Sequence, residues 1–95
     1  MERIWLQSYP PGVPAEVVVD RYRSIGELFD EGVRAFAAKT AYVCMGKSLS
    51  YGELDILSSR FAAYLQGELG LPKGARVALM MPNVLQYPVA LAAVL

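Results

Sequence analysis

The chain has 95 residues, with nine Lys+Arg offset by nine Asp+Glu, no His and one Cys. That length holds one domain at most, or part of a larger one. Its 55% apolar share excludes intrinsic disorder, because such a chain has ample apolar surface to offset the entropy of ordering. Zero net charge, balanced in residues 1–47 and again in 48–95, argues against nucleic acid as the main partner, since phosphate binding needs an excess of cations. The single Cys44 cannot close an internal disulfide, and one Cys without His cannot build a zinc site. The absence of His also removes every Ser–His or Cys–His dyad.

Residues 1–23 show no sustained period. Tyr9-Pro10-Pro11-Gly12-Val13-Pro14 is extended or turning, because proline fixes φ and removes amide donors. Ile4, Trp5 and Leu6 precede it as apolar anchors, so 1–23 reads as an extended arm. No apolar core of signal-peptide length stands at the start, and a cytoplasmic, reducing setting is expected.

Ser24-Ile25-Gly26-Glu27 has the spacing of a capping box, in which a hydroxyl and a carboxylate three residues on satisfy two orphan backbone donors. Ile25, Leu28, Phe29, Val33, Phe36 and Ala37 then follow helical spacing. Glu27, Asp30 and Glu31 lie early and Arg34 and Lys39 late, which suits the helix dipole. The acidic group reads as a solvated helix face rather than as catalytic carboxylates.

Residues 41–45 are expected as a strand, Gly46-Lys47 as a two-residue turn and 48–50 as the returning strand. Gly46-Lys47-Ser48 resembles the end of a phosphate-binding loop only superficially. Such a loop also needs a Gly at position 41, where Ala41 stands. Cys44 in the strand is expected as a small buried apolar residue. Ser50-Tyr51-Gly52-Glu53 repeats the capping box and opens a second helix. Leu54, Leu57, Phe61, Leu65 and Leu69 form its apolar stripe, and Gly70 is a natural stop.

Leu71-Pro72-Lys73-Gly74 suits a turn. Residues 76–81 (Arg76-Val77-Ala78-Leu79-Met80-Met81) run apolar without alternation after the arginine, the pattern of a strand covered on both faces. Pro82 ends it, Asn83 is the expected cap of a third helix, and from Pro88 to Leu95 no side chain is polar. A helix apolar all round is expected to be buried all round. No charge occurs after Arg76, but Pro82, Asn83, Gln86 and Pro88 interrupt the run, which argues against a bilayer span.

A strand, a turn and an opening helix make up the first two-thirds of a β-α-β unit, which takes roughly 30 or more residues. The returning parallel strand is missing, so the expectation is an α/β fold that is incomplete by itself: a hairpin, two amphipathic helices and one buried strand leading into a buried helix. Residue 95 is accordingly expected to lie inside a longer polypeptide, with 24–95 as a partial α/β subdomain.

Met1-Glu2-Arg3-Ile4-Trp5-Leu6 with Ser8-Tyr9-Pro10, and Tyr42 through Tyr51, resemble the start of bacterial long-chain fatty acid–CoA ligases. Phe61-Ala62-Ala63-Tyr64-Leu65-Gln66 and the run from Arg76 through Met80-Met81-Pro82-Asn83 to Pro88 extend the likeness across the whole chain, which would be about the first sixth of such an enzyme. The helices, hairpin and strand resemble the opening of the wider acyl-adenylate-forming superfamily. The resemblance implies a two-step ligase: a fatty acid carboxylate attacks the α-phosphate of ATP with Mg²⁺, and the CoA thiol then displaces AMP. Activation is needed because a carboxylate is a poor electrophile until one oxygen becomes a good leaving group.

The motifs that carry this chemistry in the family are a Ser/Thr/Gly-rich phosphate loop, a Tyr-Gly-x-Thr-Glu adenine motif, a ribose-binding Asp and a lysine on a mobile domain. None occurs in residues 1–95. The resemblance therefore assigns no catalytic, cofactor-binding or metal-binding residue here. It implies a scaffold inactive alone, whose partner is the rest of the enzyme and whose apolar end promotes self-association. Peripheral membrane contact would suit a lipid substrate, but no basic amphipathic helix supports it. The rival readings are an independent binding or oligomerisation module, and the start of another adenylating enzyme acting on an aryl or amino acid.

Overall fold

The computed structural model describes all residues from Met1 to Leu95. After a 3-10 helix at Ile4–Ser8, the elements in chain order are α1 (Ile25–Phe36), β1 (Thr40–Cys44), β2 (Lys47–Ser50), α2 (Tyr51–Gly67) and α3 (Gln86–Val94). The two strands form one antiparallel hairpin, α1 and α3 both pack on α2, and the architecture is a small α/β arrangement.

Local chemistry starts both long helices where their hydroxyl caps stand. The Glu27 amide of α1 donates to Ser24 Oγ at 3.1 Å. The return half of this capping box is displaced, because Glu27 Oε2 accepts from the Arg23 amide at 2.8 Å instead of from Ser24. At α2 the box is complete: the Glu53 amide donates to Ser50 Oγ at 3.1 Å, and the Ser50 amide donates to Glu53 Oε2 at 2.9 Å. α2 ends at Gly67, and Gly70 at φ +61° turns the chain so that the Leu71 amide reaches the Leu65 carbonyl at 3.0 Å.

The hairpin turns one residue earlier than its sequence suggests. Met45 and Gly46 are its central residues, at φ 49° and 75°, and Lys47 already pairs with Cys44 in β2. Positive φ at both central positions suits the twist of a two-residue hairpin. Gly46 takes the second position without strain, which leaves Met45 in a left-handed conformation that is unfavourable for a side chain. The ladder slips between Thr40 and Tyr42, where Ala41 is the extra residue.

The hairpin is the short excursion that brings α2 back to the end of α1. There the Tyr51 amide donates to the Lys39 carbonyl at 3.0 Å and the Gly52 amide to the Ala37 carbonyl at 2.9 Å. Two orphan donors of α2 are thus satisfied by carbonyls just past the end of α1. The Phe36 and Tyr51 rings meet at 6.1 Å, with the Lys39 ammonium 4.8 Å from the Phe36 centroid. A β-carbon at Gly52 would lie 3.2 Å from the Ala37 oxygen, a contact tight enough that the carbonyl would have to give by a few tenths of an ångström.

Two expectations fail between α2 and the end of the chain. Residues 76–81 form no strand: they run extended and mostly exposed, because the only sheet consists of β1 and β2, and no third strand offers them a ladder. A strand is made by its partner as much as by its own residues. α3 begins at Gln86 without a side-chain cap, so Asn83 does not cap it. Only Ala90 of α3 is buried, and Leu91 keeps 43% of its surface exposed, so the helix, apolar from Pro88 onward, is not buried all round.

The core is correspondingly small. Val33, Leu49, Leu54, Leu65 and Ala90 are its buried apolar residues, joined by Ser58. Leu57 and Leu69, expected in the apolar stripe of α2, are 42% and 53% exposed. Ser58 takes a place on the buried face, its hydroxyl donating to the Asp55 carbonyl at 3.1 Å. The accessible surface is 8009 Å², whereas a compact protein of 10.4 kDa exposes about 5,400 Å². The radius of gyration of 17.3 Å likewise exceeds the roughly 12 Å of a compact chain this long.

Two substitutions test these local arguments. Gly52→Val forces the Ala37 carbonyl away and should destabilise the fold by about 1–3 kcal/mol, read as a lower urea midpoint. Met45→Gly relieves the left-handed residue at a fully exposed side chain and should raise the same midpoint, by about 1 kcal/mol.

Candidate functional site

The polar groups that a catalytic site would need are dispersed rather than gathered. Glu27 and Glu31 of α1 are engaged by arginines, Arg23 at 3.3 Å and Arg21 at 2.9 Å. With Asp30 and Arg34 they border a shallow, solvent-filled groove along the outer face of α1. No three His, Cys, Asp or Glu side chains converge as metal ligands. Gly46, Lys47 and Ser48 belong to the hairpin, not to a loop that opens a helix, so their amides form no phosphate cradle.

Cys44 is half-buried instead of fully buried, and its thiol donates to the Asn83 carbonyl at 3.5 Å. This weak contact ties the tip of β1 to the turn before α3. Asn83 thus contributes through its backbone, which its side-chain type could not reveal.

An apolar face is left uncovered. Between β2, α2, the extended segment and α3 lies a groove of about 530 Å³, lined by Leu57, Phe61, Met81, Leu85 and Val89 among others, with Gln86 as its only polar residue. A second groove runs between Leu65 of α2, the turn at 71–75 and the end of α3 at Ala93 and Val94. The exposed segment 76–81 flanks both. Side chains of the first groove serve packing, whereas Gln66 and Lys73 give the second a polar edge.

Two exposed carboxylates are nevertheless tuned by their caps. Glu53 is held below its ordinary value of 4.5, first by the Ser50 amide and then by the Ser50 hydroxyl. Glu27 is lowered too, first by the Arg23 amide and then by the Arg23 guanidinium. Both shifts come from helix caps, so they describe stability and not catalysis.

Residues 29–95 match the AMP-binding enzyme family. The chain belongs to that family. Over 95 residues it is 53% identical to the long-chain-fatty-acid–CoA ligase of Salmonella typhimurium, 52% to that of Yersinia pestis and 48% to that of Haemophilus influenzae. Each match takes in 100% of this chain but 17% of the relative, so the chain spans about a sixth of the length of the curated relatives it matches. No solved structure matches it. The α/β arrangement described above is that of part of an AMP-binding domain, and no helix in it is long and apolar enough to cross a membrane.

The cap carboxylates generate a pH prediction. Because the folded-state values are lowered, their stabilisation is fully present above the unfolded value near 4.5 and is lost as pH falls through the folded values. Helical circular dichroism should therefore decline on acidification below pH 4.5. Glu53→Gln, whose amide oxygen can still accept from the Ser50 amide, should flatten that decline.

Proposed function

We propose that this chain serves as N-terminal scaffold in a long-chain fatty acid–CoA ligase, which uses ATP, Mg²⁺ and CoA to convert a fatty acid into its acyl-CoA through an acyl-adenylate. The observation that carries this reading is likeness along the full chain to ligases of that name, at 48–53% identity. The physical observation that supports it is the uncovered apolar face, which suits a piece of a larger domain better than a free-standing catalyst. In this reading residues 1–23 are a peripheral arm, 24–95 are part of the ligase domain, and the catalytic groups lie outside this chain. The reading includes work in the cytoplasm, with any membrane contact peripheral.

Within that enzyme the scaffold would work through position. The hairpin and α1 pack around α2, while segment 76–81 and α3 present backbone and apolar side chains to the remaining polypeptide. A parallel strand returning after α3 would complete a right-handed β-α-β crossover and give 76–81 the ladder partner it lacks. The acid-binding pocket of the enzyme is not built by these residues, so the preference for fatty over aryl or amino acids rests on the likeness of sequence.

A chimera tests the reading directly. Replacing the matching N-terminal segment of the Salmonella typhimurium ligase with this chain should leave oleoyl-CoA synthesis within about tenfold of the parent enzyme. A folded chimera that has lost oleate activation, or that now prefers aryl or amino acids, would refute it. The chain alone should give no acyl-CoA above blank with ATP, Mg²⁺, oleate and CoA, and should scatter light as multimers. Turnover, or a monodisperse monomer that unfolds cooperatively, would favour an independent module instead.

A further inference from the structure

We draw no further inference here: the strongest candidate, the apolar groove between α2, α3 and the extended segment at residues 76–81, carries nothing because no observation in the structure shows what covers it beyond the longer enzyme already proposed.

Discussion

The arrangement depends on the joint between the end of α1 and the start of α2. Helix starts leave amide groups without partners, and helix ends leave carbonyls without partners. Here the two deficits are set against each other: Tyr51 and Gly52 donate to Lys39 and Ala37, while Ser50 and Glu53 cap the same turn. Because β1 and β2 lie between the two ends, this joint closes the hairpin into a short loop and fixes the direction in which α2 leaves. α2 then carries α3 and half of the small core. An error of one residue at Gly52 would bring a side chain into the Ala37 carbonyl, so the joint specifies register as well as contact.

What the joint does not supply is coverage. Six residues are buried, a small core to set against the ordering entropy of a 95-residue chain. The surface ion pairs do not make up the difference. Arg3–Glu16, Arg21–Glu31 and Arg23–Glu27 are all solvent-exposed, where such pairs contribute about 0–1 kcal/mol each. The excess accessible surface is spread along the chain, at Val17, Val18 and Val19 of the arm and at Val43 and Met45 of the hairpin, and part of it lies at Met80 and Leu91. In a longer ligase that surface would become interior, which joins the energetics of the chain to the function proposed for it.

The parts legible in the sequence are those decided by neighbours in sequence. Ser24 and Ser50 mark helix starts because a cap acts over three residues, and Gly70 marks a stop because its backbone can turn left-handed. The hairpin is legible as a hairpin, but its turn is read one residue late, at Gly46-Lys47, since Gly46 fits either central position and only the ladder chooses between them. Residues 76–81 carry the composition of an interior strand, yet strand identity is conferred by a partner that β1 and β2 do not provide. Ser58 illustrates the converse: a serine in an apolar stripe reads as an interruption, whereas its size and its bond to the Asp55 carbonyl let it be buried. The groove is not legible, because Leu49, Phe61, Met81 and Val89 come from separate parts of the chain and only the fold brings them together.

The contact between the Cys44 thiol and the Asn83 carbonyl has a mechanical consequence. The hairpin is rooted at residues 40 and 50 and projects to its tip near 44, so it acts as a lever arm hinged beside α2. Its tip is fastened to the stretch that feeds α3. Hairpin and third helix are each carried by the second helix, and this weak bond is a touch between two neighbours rather than a weld.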